Sequence, residues 1–258
     1  MVTPLESALS WLPWWLAPLL ALGLGLMALA PLGEQVLRRG VVFIDLAVAQ
    51  AAAAAALWWI WWQDHPPAWS MRMAALAGAL VAVAWVRRLA RRHPEQREAL
   101  IGLVYVLGAA LSVLGASQDA HGREHLAELL AADVLWADWP QVATMAALAA
   151  IGLLWHRLQA RRAEKGGAPA HAADYGFYLW FALVASVAVG VLGLWLVFAG
   201  LIVPALLRWQ GWRWRWCALA MLAASAAGLG LSSALDWPSG ACVILVLALV
   251  GLATPRRS

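Results

Sequence analysis

The chain has 258 residues, of which 64% are hydrophobic and only 12% are charged. A soluble domain is nearer half apolar and a quarter charged, so this composition excludes a water-soluble globule and predicts a surface that faces lipid. The net charge of +4 does not indicate nucleic-acid binding, because the arginines stand in short clusters between apolar runs and not along one polar face.

The apolar runs predict an all-α, polytopic integral membrane protein with a single transmembrane domain over residues 1–258. A membrane-spanning helix needs about 20 predominantly apolar residues. In chain order, the runs that meet or approach this length lie at about 11–32, 41–62, 69–86, 99–117, 141–155, 175–207, 216–234 and 239–253.

The basic clusters predict how the chain is oriented in the membrane. Cytoplasmic loops carry an excess of Lys and Arg. The clusters expected in the cytoplasm are Arg38/Arg39, Arg87–Arg92, Arg157–Lys165, Arg208–Arg215 and Arg256/Arg257. No Lys or Arg precedes the first run, so we expect the N-terminus outside and the C-terminus in the cytoplasm. That orientation requires an odd number of crossings.

Residues 174–207 decide between eight and nine crossings. They lie between two basic clusters that are both expected in the cytoplasm, so the chain must leave and return within 34 residues. Two short or re-entrant helices with a turn near Gly190 and Gly193 satisfy this requirement. The alternative is one long span that makes an exception to the positive-inside rule.

Many of the 19 tryptophans stand at the ends of the runs, as expected for an interfacial aromatic belt. Arg213 and Arg215 alternate with tryptophans between Trp209 and Trp216. We interpret this segment as a basic, aromatic helix that lies at the cytoplasmic membrane surface and not as a nucleic-acid patch.

Asp45 is the strongest candidate for a functional residue within a span, because a charge among apolar residues is costly. Gln50 follows five residues later, displaced by about 140° around a helix. One hypothesis makes this pair an ion ligand or gate. The other makes Asp45 a helix-start carboxylate that Arg38 or Arg39 holds near the cytoplasmic surface.

A second candidate lies in the polar stretch from Gln118 to Pro140. The spacing of His121, His125 and Glu128 places all three on one face of a helix. Imidazole and carboxylate are ordinary zinc ligands, and this loop is expected outside, where an incoming metal would arrive first. The alternative is a solvated polar face.

No catalytic motif is visible. The sequence contains no G-x-S-x-G elbow, and it lacks a Walker A motif because Gly166 follows Lys165. The chain is therefore not expected to be an enzyme. If ATP drives it, the ATPase must be a separate chain.

Five segments follow one another in order between about residues 30 and 250: Arg38–Gln50 (RRGVVFIDLAVAQ), Glu98–Tyr105 (EALIGLVY), Leu129–Trp136 (LLAADVLW), Gly193–Ala205 (GLWLVFAGLIVPA) and Leu235–Gly240 (LDWPSG). Together they resemble the permease subunits of zinc/manganese-type ABC importers. The resemblance implies a second permease copy, a pair of ABC ATPase subunits and a periplasmic or extracellular metal-binding protein. It also implies a cytoplasmic coupling helix near 205–216, with Arg208, Arg213 and Arg215 facing the ATPase.

The chain departs from the family pattern at one important point. Typical members carry a Gly before the Asp and a His four residues after it, and this pair is thought to coordinate metal. Here Ile44 and Ala49 occupy those positions, and Gln50 is a weaker zinc ligand than His. We expect zinc to be transported, with manganese or iron as alternatives, and no permanently bound cofactor. The expected location is the cell (inner) membrane; the alternative functions are a metal-chelate permease and a non-transporting scaffold.

Overall fold

The computed structural model describes residues 13–41, 43–63, 66–92, 94–118, 121–130, 134–164 and 170–253. These ranges hold ten α-helices and no β-strand, which confirms the all-α prediction. The helices are α1 Leu16–Arg39, α2 Ile44–Gln63, α3 Ala68–Arg92, α4 Arg97–Ala116, α5 Gly122–Leu130, α6 Trp139–Glu164, α7 Ala170–Leu192, α8 Leu194–Trp209, α9 Trp214–Leu235 and α10 Ser239–Ala253.

Six helical segments of the described chain are long and apolar enough to cross a membrane, judged by length and composition: Leu16–Arg39, Ile44–Gln63, Ala68–Arg92, Pro94–Ala116, Tyr175–Leu192 and Trp214–Leu235. Three shorter apolar helices are Trp139–Trp155, Leu194–Trp209 and Ser239–Ala253. These findings support a polytopic membrane protein. The number of crossings and the orientation of the termini stay predictions, and Arg256, Arg257 and residues 165–169 lie outside the described residues.

Several helices continue beyond the apolar runs that predicted them. The run that was expected to end at residue 86 continues as helix α3 to Arg92, and α6 continues from residue 155 to Glu164. Arginine at a helix end keeps its charged head in water while its stem follows the apolar surface. The hydrophobic pattern therefore marks the apolar part of the helix and not the point where the helix ends.

Residues 174–207 form two helices and not one continuous helix, as the first hypothesis predicted, and the number of crossings that they make stays a prediction. The break is at Gly193, with φ 78° and ψ 158°, while Gly190 lies inside α7. This conformation is open almost exclusively to glycine. The two helices then take different neighbours, since α7 packs against α3 whereas α8 packs against α1 and α10.

The helices pack in two groups. In the first group α2 lies between α3 and α4; in the second, α1 lies among α6, α8 and α9. Close backbone approach characterises both. A Cβ on Gly33 of α1 would overlap the carbonyl oxygen of Leu201 in α8, and one on Gly78 of α3 would lie 2.5 Å from the carbonyl oxygen of Ala51 in α2. Small residues at helix crossings allow such approach in a membrane.

Candidate functional site

Asp45 is the second residue of α2 and only 1% exposed. Neither carboxylate oxygen makes a hydrogen bond of good geometry to a described residue. The donors near it are the backbone N–H groups of Asp45 and Leu46, at the helix end where the macrodipole favours negative charge. The carboxylate thus keeps its capacity to coordinate a cation.

The structure does not support the hypothesis that Arg38 or Arg39 holds Asp45. Among the described residues no ion pair to Asp45 is present, and the Arg39 guanidinium lies 4.3 Å from the centroid of the Phe177 ring. A buried carboxylate without a partner is costly. In a helix of this apolar character it makes Asp45 a candidate functional position.

Gln50 lies further along the same helix and is 5% exposed, and its side-chain oxygen has no hydrogen-bond partner among the described residues. Its backbone, by contrast, is firmly held. The Ser112 hydroxyl of α4 donates to the Gln50 carbonyl oxygen at 3.1 Å. Gly108, one turn earlier on α4, lets the helices approach, since a Cβ there would lie 3.0 Å from the Gln50 Cβ.

A cavity of about 750 Å³ adjoins Gln50 between helices α2, α4, α5, α8 and α10. The lining is mainly apolar, and its side chains that carry an oxygen atom are those of Gln50 and Tyr105. Leu46 also lines it, but its neighbour Asp45 does not. The structure therefore gives the two candidate residues different surroundings, which agrees with their expected displacement around the helix.

The candidate cluster in the polar loop is only partly described. His121 is exposed and precedes α5, whose Gly122–Leu130 range contains positions 125 and 128. The side chains of His125 and Glu128 lie outside the described ones. No group of three or more His, Cys, Asp or Glu residues suited to a metal is found among the described residues, so metal contact here stays a prediction.

The segment near 205–216 differs from the coupling helix expected there. Helix α8 ends at Trp209, a turn occupies residues 210–213, and α9 begins at Trp214. Gly211, with φ 89°, makes the turn. Arg213 and Arg215 are exposed, whereas Arg208 is 30% exposed and its Nε lies 2.8 Å from the Glu34 Oε1 of α1.

Three partners of these residues were not identified from the sequence. Nothing local in the sequence marks Glu34 as the partner of Arg208, 174 positions away. Ser112 and Gly108 carry a weak signal, namely two small residues four apart on a helix, which is a common helix-packing pattern in membranes.

Comparisons with known proteins cover nearly the whole chain. Residues 15–255 match the ABC 3 transport family. No curated protein matches the chain. Among solved structures, PsaBC from Streptococcus pneumoniae in complex with Fab superposes with a TM-score of 0.75 at 16% identity, covering 98% of this chain and 95% of that one. At this identity the likeness concerns the fold.

Proposed function

Because the chain belongs to the ABC 3 transport family of metal-type ABC permeases, we propose that it forms the membrane pathway of an ATP-driven importer for a divalent metal ion. The observation that carries this proposal is Asp45, a buried carboxylate that has no counter-charge among the described residues. Such a group in an apolar helix is a natural ligand or gate for a passing cation.

The expected ion is zinc, with manganese as the main alternative. Asp45 and Gln50 offer oxygen atoms, which suit manganese as well as zinc. A preference for zinc gains support if His121 and its neighbours on α5 receive the ion first, because imidazole is a common zinc ligand. Measuring zinc and manganese import side by side separates these possibilities.

The proposed assembly contains a second copy of the permease, two ABC ATPase subunits and an external metal-binding protein, with the permease as a multi-pass protein of the inner membrane. In this assembly ATP binding brings the two ATPase subunits together. The turn between α8 and α9, with its exposed Arg213 and Arg215, receives that movement. The region around Asp45 then opens alternately to the two sides.

Co-purification in mild detergent tests the proposal. The tagged chain should bring down a stoichiometric ATPase, and the assembled complex in proteoliposomes should take up zinc or manganese only with ATP present. A homogeneous preparation without an ATPase, under conditions in which related complexes survive, would contradict the proposal. It would favour the non-transporting scaffold.

A metal chelate is the second candidate substrate. The cavity beside Gln50, about 750 Å³ in volume and mainly apolar, is far larger than a bare ion needs, and ligand pockets of this size usually bind organic molecules. Uptake that requires a chelator, and that excess free ion does not inhibit, would support the chelate. Uptake of the free ion without a chelator would exclude it as the required substrate.

A further inference from the structure

The turn between α8 and α9 is a well-defined helix cap. Gly211 donates its backbone N–H to the Arg208 carbonyl oxygen at 2.9 Å, and Trp212 donates to the Leu207 carbonyl oxygen at 3.1 Å. These are the two bonds of a Schellman motif, with Gly211 supplying the left-handed residue. Trp212 also packs against the core. The turn is therefore held in one conformation.

Arg208 joins this turn to another helix. Its NH1 group donates to the Trp212 carbonyl oxygen at 2.6 Å, while its Nε donates to the Glu34 Oε1 of α1 at 2.8 Å. The guanidinium carbon also lies 5.2 Å from the centroid of the Trp214 ring, a cation–π distance. The Arg208 side chain thus contacts three elements: the turn, through Trp212; α9, through its first residue Trp214; and α1, through Glu34.

Helix α1 leads from this contact to Asp45. Glu34 lies near the end of α1, which closes at Gly40, and α2 begins four residues later at Ile44 with Asp45 in its first turn. Near Glu34, α1 and α8 touch along their backbones, because a Cβ on Gly33 would overlap the Leu201 carbonyl oxygen. The connection from the end of α1 to the start of α2 is short.

We propose, on the basis of the function proposed above, that Glu34 and Arg208 form a strut that carries movement of the α8–α9 turn into α1 and so to Asp45. Arg208 is then a positioning residue inside the permease and not an ATPase contact. Arg213 and Arg215, which are exposed on the same turn and the start of α9, remain the arginines that face the ATPase.

The geometry distinguishes this role from two simpler ones. An arginine that served to contact the ATPase would present its guanidinium to solvent, whereas that of Arg208 is bonded to Glu34 and Trp212. A pair that only stabilised the fold would affect yield, ATP hydrolysis and transport together. A strut affects the metal imported per ATP hydrolysed, because the ATPase and the pathway remain intact while their link is weakened.

The test uses the variants Glu34→Gln and Arg208→Gln, the reversed pair E34R/R208E, and Arg157→Gln as a control arginine that is exposed on α6. Backbone hydrogen exchange is measured on the purified complex, and ATP hydrolysis and zinc uptake are measured in the same proteoliposomes. Thiol labelling of the two buried cysteines reports folding, because Cys217 lies beside the pair and Cys242 lies in α10. If a substitution loosens the whole fold, both thiols become accessible to the label.

Glu34→Gln should raise exchange across residues 207–213 about tenfold, although it changes no atom of that segment, because the carboxylate charge that strengthens the bond to Arg208 is lost. Zinc imported per ATP should also fall about tenfold in both Gln variants, the value of such a bond. Arg157→Gln should leave unchanged both the hydrogen exchange at 207–213 and the zinc imported per ATP. The reversed pair should recover part of the ratio, since it restores the ion pair but not the bond to the Trp212 carbonyl oxygen.

Unchanged exchange at 207–213 in Glu34→Gln would overturn the strut. So would raised exchange with an unchanged ratio of zinc to ATP. If the wild-type complex hydrolyses ATP but imports no metal, the proposed function fails. Transmission to a metal pathway then fails with it, and the exchange measurement still decides whether Glu34 holds the turn.

Discussion

Glu34 and Asp45 are two acidic side chains that the fold largely removes from water, and they differ in what faces them. Glu34 is 16% exposed and meets the Arg208 guanidinium at 2.8 Å. Asp45 is 1% exposed and has no hydrogen-bond partner of good geometry among the described residues. A paired buried charge is consistent with a structural or transmitting role, whereas an unpaired one is a cost that function must explain.

Glu34 and Asp45 also differ in how closely the chain around them is packed. Glu34 lies where α1 and α8 pack backbone against backbone, next to a turn fixed by a helix cap. Asp45 lies at the start of α2, which a short connection joins to α1. The comparison separates a firmly linked part of the molecule from the part proposed to handle the ion.

The largest expected effect is that of Asp45→Asn on transport. It removes the negative charge with almost no change in shape, and we expect metal import by cells that express all components to fall about 100-fold, the upper range for disturbed metal sites. Asp236→Asn is the control, because Asp236 is exposed and asparagine tolerates its positive φ of 56°. Import by Asp45→Asn equal to that of the control would place Asp45 outside the pathway.

The comparison becomes sharper if stability is measured on Glu34→Gln as well. Loss of a partner from a buried ion pair costs about 3–5 kcal/mol. Because this pair is partly exposed, we expect Glu34→Gln to lower the free energy of unfolding by about 1–3 kcal/mol. Asp45→Asn should leave stability unchanged or raise it, since it removes an uncompensated charge. Denaturant unfolding in detergent measures both, and effects of the same sign would contradict the distinction.

A smaller effect is expected where α4 packs against Gln50. A Cβ on Gly108 would lie 3.0 Å from the Gln50 Cβ and 3.1 Å from the Ala51 backbone nitrogen. We expect Gly108→Ala to destabilise the protein by about 1 kcal/mol through overpacking. Gly102 on the same helix has open space at its Cβ position, so Gly102→Ala should be neutral or stabilising by up to about 1 kcal/mol. Equal unfolding midpoints for the two variants would refute this packing argument.

The smallest effect on stability is expected at the exposed arginines of the α8–α9 region. Arg213→Glu combined with Arg215→Glu should change the free energy of unfolding by less than about 0.5 kcal/mol, as is usual at the surface. The same change should reduce the amount of ATPase that co-purifies with the permease. Full retention of the ATPase and of transport would remove these two arginines from the proposed interface.

The helices were predictable because a long apolar run between basic clusters indicates a helix in lipid from contiguous sequence alone. The split at Gly193 was also predictable, since the basic clusters on both sides favoured a turn within 34 residues. The helix ends were less so, because α3 and α6 continue into polar sequence where hydropathy no longer identifies them.

The site was predictable only in part, for a similar reason. Asp45 was identified because a charge in an apolar run is costly wherever its partners lie. The sequence does not show that Asp45 lacks a counter-charge, because this depends on how the helices pack. The bond from Ser112 to Gln50 joins residues 62 positions apart, and the pair of Glu34 and Arg208 joins residues 174 positions apart. No local pattern encodes such distant contacts, and they follow from how the two helix groups assemble.

The most direct test of the account records ATP hydrolysis and uptake of zinc and manganese in the same proteoliposomes, for the assembled wild-type complex and for Asp45→Asn. We expect both complexes to hydrolyse ATP and only the wild type to accumulate metal. Equal accumulation by the variant would contradict the claim that the buried, unpaired carboxylate of Asp45 handles the transported ion.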